Sequence, residues 1–174
     1  MRHPLLLGLA ALGLLLVPGR AEAQWSLRLA LEAPLYAHTS SNGQSSSFGV
    51  NESFQPTVDL IGSYFVSDIV GLDLELRTGI AATGPGYERQ RTSIGPGVTI
   101  DDRTFPLYAR ASLPTQVEGP TILFLRVGGG LKILDMAFLR VHFEVTADFS
   151  LAGSGVSVFG SQAVNAGLGV WLRL

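Results

Sequence analysis

The segment FLRVHFEVTADFSL, Phe138 to Leu151, alternates apolar and polar residues from Leu139 onward. Leu139, Val141, Phe143, Val145, Ala147 and Phe149 fall on one set of positions, and Arg140, His142, Glu144, Thr146, Asp148 and Ser150 on the other. Successive side chains of a strand point to opposite faces, so this spacing makes one apolar face and one face carrying charges of both signs. Two environments suit such a strand. Water can bathe the polar face of a soluble sheet, or lipid can bathe the apolar face of a closed barrel whose charges lie inside.

The same alternation recurs along the chain. WSLRLALEAPLY sets Trp25, Leu27, Leu29 and Leu31 against Ser26, Arg28, Ala30 and Glu32. After the Ser-rich stretch His38 to Ser47, read as a loop, come FQPTVDLIGSYFV and VGLDLELRTGI, with Asp59, Asp73, Glu75 and Arg77 on the polar side. A weaker strand spans Arg89 to Ile100, interrupted by Pro96, which cannot donate to a ladder. FPLYARASL, ILFLRVGGGLKI and VNAGLGVWLRL contribute Tyr108 and Arg110, Arg126 and Lys132, and Trp171 and Arg173 to polar faces. With the opening segment this makes eight expected strands, most of about 10 to 13 residues, whereas membrane strands need about 9 to 11 and globular ones average about 5 to 6. Connections after the second, fourth and sixth strands are short, and the others are longer and rich in Gly, Ser and Pro. No segment sustains the 3.6-residue period of a helix.

Four features bear on which face is wet. Lys132 is the sole lysine, so the other cations are arginines, which suit buried, multiply bonded ion pairs. The polar faces balance: Arg28, Arg77, Arg110, Arg126, Lys132, Arg140 and Arg173 stand against Glu32, Asp59, Asp73, Glu75, Glu144 and Asp148, with His142 among them. The apolar faces carry almost no charge, and Trp25, Phe54, Tyr64, Phe105 and Phe149 sit near strand ends, where an interfacial girdle belongs. The chain also opens with a basic start, an apolar run from Leu5 to Val17 and the small-residue site Ala21-Glu22-Ala23. This layout predicts a cleaved secretory signal over residues 1–23 and a mature domain over 24–174. An apolar run that short does not reach the roughly 20 residues of a spanning helix.

The mature segment resembles the small eight-stranded bacterial outer-membrane β-barrels of the OmpA membrane-domain and OmpX type. The resemblance covers essentially all of residues 24–174 and rests on pattern, not on a fixed motif. It implies an all-β fold, an antiparallel up-and-down transmembrane barrel, inserted in the outer membrane with both termini on the periplasmic side. It also implies contact with outer-membrane lipid and lipopolysaccharide, and recognition of the last strand by the barrel-assembly machinery. Here that strand ends in Leu174, where the family usually has Phe or Trp. No activity follows from the resemblance, since fold and function separate readily.

Candidate chemistry is sparse. His142 with Glu144, Asp148 and a serine such as Ser150 or Ser154 could be nominated as a hydrolytic group, because some barrels of this size deacylate lipid A at their outer face. His142 shares the inferred inner face instead, which favours a network histidine and no enzyme. Metal-ligand spacing is absent, cysteine is absent, and Asp73/Glu75 and Asp101/Asp102 read as ion-pair partners and turn residues. No cofactor is expected. A formal net charge of −2 without a basic run gives nucleic acid no electrostatic purchase. The expected role is therefore structural, in envelope integrity or surface interaction, with a monomer favoured. The expected lumen network comprises Arg28, Glu32, Asp59, Asp73, Glu75, Arg77, Arg110, Arg126, Lys132, Arg140, His142, Glu144, Asp148 and Arg173. Arg89 and Arg91, in the third connection, could meet lipopolysaccharide phosphates. The alternatives are a secreted soluble barrel that binds an apolar ligand and an outer-membrane lipid-modifying enzyme.

Overall fold

A computed structural model of the chain describes residues 24–41, 44–49, 54–81, 90–153 and 160–174. The expected signal segment, Arg89 and Ser154 lie outside the described residues. The strands are β1 (Gln24–Ser41), β2 (Gln44–Gly49), β3 (Thr57–Phe65), β4 (Val70–Gly79), β5 (Ser93–Ile100), β6 (Leu107–Ser112), β7 (Thr115–Gln116), β8 (Ile122–Asp135), β9 (Leu139–Gly153) and β10 (Ser161–Arg173).

They form eight staves. β2 pairs with the upper part of β1 along the edge that β3 uses below it, and β7 continues β6 between β5 and β8. Neighbours in sequence pair antiparallel all the way round, and β1 closes the ring on β10 from Ser26↔Arg173 to Thr39↔Ser161. The fold is a closed, eight-stranded, antiparallel up-and-down barrel. Closure leaves no free edge in the wall.

Tight turns join the staves at one end. Val66 N–H donates to Val70 O, and Met136 N–H to Leu139 O, at 2.9 and 2.8 Å. The start of β1 at Gln24 and the end of β10 at Arg173 lie at this turn end, and the longer connections gather at the other, loop end. The Ser-rich stretch read as a loop is largely ordered instead. His38 to Ser41 extend β1, and Gln44 to Gly49 return against it, Ser40 facing Ser45. Short polar side chains hid a hairpin that has no buried apolar face.

Pro96 lies within β5, and the strand survives because of where its missing donor falls. In an antiparallel pair a residue exchanges both its bonds with the same partner. Pro96 O accepts from Leu113 N at 2.9 Å, so the absent N–H also faces the gap between β6 and β7. The register is continuous across that gap, from Gly97↔Ser112 to Ile94↔Thr115, with Leu113 and Pro114 between. The ladder with β4 is untouched, Leu74 lying opposite Pro96.

The usual partition of side chains is inverted. Among the described residues the buried hydrophobic side chains are Ala30, Ile61, Tyr108, Ile122 and Trp171, whereas twenty-three buried residues are polar or charged. Leu27, Leu29, Leu31, Leu74, Leu76, Phe143, Val145, Leu168 and Val170 face outward. Inward glycines admit the largest lumen side chains. A Cβ on Gly130 would lie 2.5 Å from the Tyr108 ring and hydroxyl, and one on Gly169 would lie 2.6 Å from the His142 ring. Gly130→Val is expected to lower stability to urea in detergent micelles by about 1–3 kcal/mol, the cost of overpacking. Combining it with Tyr108→Ala should recover part of that loss.

Candidate functional site

The register brings some inward charges side by side. Asp59 lies opposite Arg77 on β3 and β4, and Asp148 opposite Arg126 on β9 and β8. Arg28, Trp171 and Arg140 sit in a row on β1, β10 and β9. Other contacts cross the lumen and tie distant staves together.

Three guanidiniums on β4, β6 and β8 dominate the middle of the barrel. Arg110 binds Glu144 across the lumen, Glu75 at 2.6 Å and Asp59 at 3.2 Å. Arg77 binds Glu32, with Asp59 at 3.0 Å and Asp148 at 3.1 Å. Arg126 binds Glu75, with Asp148 at 2.5 Å. Neutral donors complete the carboxylates: Ser112 to Glu75, Thr146 to Glu32 and Asn165 to Asp148. Each arginine serves two or more acids, which its planar fork permits and a lysine would not.

Below this tier the lumen is aromatic. The Arg28 guanidinium lies 4.0 Å from the Trp171 ring centroid and 4.8 Å from that of Tyr108. Arg140 covers the Trp171 ring at 4.7 Å. Such stacking stabilises a desolvated cation. His142 packs edge-on to both rings, and Tyr108 Oη donates to Glu144 at 2.7 Å. Arg28 donates to Thr99, and Thr99 to Asp73 at 2.5 Å.

A third cluster seals the turn end. Asp101 binds Arg140 at 2.7 Å and Lys132 at 2.6 Å, while Asp135 binds Arg140 at 2.8 Å and Arg173 at 3.1 Å. A small pocket of about 10 Å³ lies at this end between Trp171, Asp101 and Arg173. Lys132 and Arg173 thus belong to this end cluster, not to the central tier. Asp101, read from sequence as a turn residue, is a buried ion-pair partner. Its neighbour Asp102 is the turn residue: Thr104 donates to it through both hydroxyl and backbone N–H, and these bonds hold its carboxyl below the ordinary carboxylate range.

Asp135 escaped the sequence reading because of a bulge. The register runs Lys132↔His142, then Leu134↔Val141, leaving Ile133 as the extra residue. That insertion reverses the parity of β8, turning Leu134 outward and Asp135 inward toward Arg140. A second bulge at Leu35 does the same for the top of β1.

At the loop end the lumen opens above Arg77, Arg126 and Asp148 into a cavity of about 300 Å³. The barrel is therefore a blind vestibule over a charged floor. Among the described residues, His142 and Ser150 do not come together as a hydrolytic pair. His142 Nε2 is 3.6 Å from Glu144, too long for a hydrogen bond. Ser150 accepts from Ser161 N–H at 2.9 Å, eight residues along β9 from His142 and thus about 26 Å away at ~3.3 Å per residue. Among the described residues no group of three or more His, Cys, Asp or Glu could hold a metal ion.

No protein-family model and no curated protein matches the chain. Among solved structures, the barrel is similar to that of Neisserial surface protein A (NspA), with a TM-score of 0.55 and 17% identity over 86% of this chain and 97% of that one. The structure of outer membrane protein AlkL in DMPC lipid bilayers matches with a TM-score of 0.45 and 10% identity, over 90% and 92% of the two chains. The chain has the fold of the small eight-stranded outer-membrane β-barrels.

Proposed function

We propose that this chain resides in a bacterial outer membrane as a non-catalytic β-barrel with a structural or surface-interaction role. The observation that carries the reading is the inverted partition of side chains: charge inside, leucine, valine and phenylalanine outside. In water the outer face would form a continuous apolar belt, far beyond the few hundred Å² that soluble monomers expose. In lipid the same belt is the ordinary lining of the bilayer core. Trp25 and Tyr64, whose rings lie 4.9 Å apart, and Phe105 and Phe138 make an aromatic girdle at the turn end. The turn end then faces the periplasm, and the loop end, with Arg91 at the cavity wall, faces lipopolysaccharide. The last strand, β10, would be the element that the assembly machinery engages, and the closed ring favours a monomer.

A secreted soluble barrel carrying an apolar ligand finds no support, because ionic side chains fill the lumen where that ligand would lie. Cell fractionation tests the proposal. The protein is expected in the outer-membrane fraction, released only by detergent, and faster on an unheated gel than on a boiled one. Recovery in the soluble periplasm without detergent would overturn it.

A further inference from the structure

The loop-end cavity differs in kind from the ionic lumen beneath it. Three glutamines reach it from different parts of the wall: Gln55 before β3, Gln90 before β5 and Gln116 on β7. Thr39, Ser93 and Ser161 add hydroxyls. An amide carries two donor hydrogens and an oxygen with two lone pairs, so one bond within the wall leaves further capacity for an occupant. Gln116 illustrates this, since its Nε2 donates to Glu118 O at 2.9 Å and Pro120 O at 2.7 Å, leaving Oε1 to accept.

The floor selects against an anion. Arg77 and Arg126 both donate to Asp148, and Asn165 adds a third donor at 3.3 Å. A phosphate or carboxylate would have to draw these guanidiniums from buried acids. An apolar occupant would instead strip water from the amides and hydroxyls with nothing in return. A neutral molecule rich in hydroxyls meets both conditions, and Phe48 and Phe124 supply apolar surface for the C–H faces of a sugar ring. A volume of about 300 Å³ suits one or two such rings.

We propose that this vestibule binds a neutral saccharide of one or two rings, free or as the terminal sugar of an amphiphile, held by Gln55, Gln90 and Gln116. The proposal deepens the surface-interaction reading. Binding in micelles is read whether or not the native protein fractionates with membrane, so the two can fail separately.

The test uses the full barrel, labelled with ¹⁵N, in a detergent that contains no sugar. Maltose and dodecyl maltoside are the saccharide probes, and inorganic phosphate and decanoate the competitors by class. The side-chain amide resonances of the three glutamines are expected to shift on saturable addition of a saccharide probe. A response to maltose assigns the site to free sugar. A response to dodecyl maltoside alone assigns it to a sugar carried on a lipid. Gln90→Leu and Gln116→Leu should each weaken binding about fivefold, the worth of one or two hydrogen bonds, with strand amides unchanged. The unmodified protein gives the answer even if a variant fails to fold. Shifts with phosphate or decanoate and none with either saccharide would overturn the proposal, as would saccharide shifts confined to residues outside the vestibule.

Discussion

Arg110→Ala is expected to cost about 3–5 kcal/mol of folding stability, because it leaves buried carboxylates without their shared cation. Arg110 reaches Glu144, Glu75 and Asp59, carried on three other strands, and its side chain is 2% exposed. Removing it leaves those acids to share Arg77, Arg126 and Arg28, so the buried lumen carries an excess negative charge. Arg110→Lys keeps the charge but loses the fork, so it should fall between the two. The decisive control removes charge from both sides. Arg110→Met combined with Glu144→Gln should regain much of the loss, because it restores the charge balance and much of the single variant's cost is the penalty of uncompensated buried acid. The measurement is urea unfolding in bilayers, read by the shift in gel mobility between folded and unfolded barrel. A loss below about 1 kcal/mol, the range of exposed ion pairs, would mean that water already solvates the central tier.

The second large effect comes from the outer face. Leu168 and Ile133 are equally exposed, at 57% and 58%. Leu168 lies between Leu31 and Phe143, level with the central arginine tier, whereas Ile133 sits beside the β8–β9 turn. In water, arginine at either position would be nearly neutral. In a bilayer, Leu168→Arg should cost about 2–4 kcal/mol and Ile133→Arg about 0–1 kcal/mol, since the penalty depends on depth. Equal costs would contradict the membrane placement. The pair of variants reads solvent identity without reference to cellular location.

Much of this barrel is written in plain alternation. A period of two puts Arg28, Glu32, Asp59, Arg77, Arg110, Glu144 and Asp148 on one face wherever a strand is regular, and the structure places all of them in the lumen. Alternation cannot say which acid an arginine meets across the barrel, because that depends on strand stagger. Arg110 with Glu144 is such a contact, and Arg77 with Asp148 another. Nor can it anticipate a reversal of parity. The bulge at Ile133 turned Asp135 from an apparent turn residue into the partner of Arg140 and Arg173. The hairpin of β2 stayed hidden because its serines bury nothing, and the vestibule because its glutamines come from three separate segments. Tyr108 and Trp171 carried a usable signal: bulky aromatics on polar faces beside arginines mark places where cations are stacked.

The pairing of β1 with β10 has a consequence in time. Ser26 must wait for Arg173, and Arg28 for Trp171, so the first strand cannot complete its contacts until the last has been delivered. Closing the longest loop in the chain comes at the end of folding, and contacts of that separation are slow to form. Until then, arginines and acids destined for one another face whatever medium surrounds the unfinished sheet, which must still be aqueous for them to remain hydrated. For a barrel that enters lipid, desolvation of the lumen and burial of the apolar belt would therefore coincide with ring closure as a single late event.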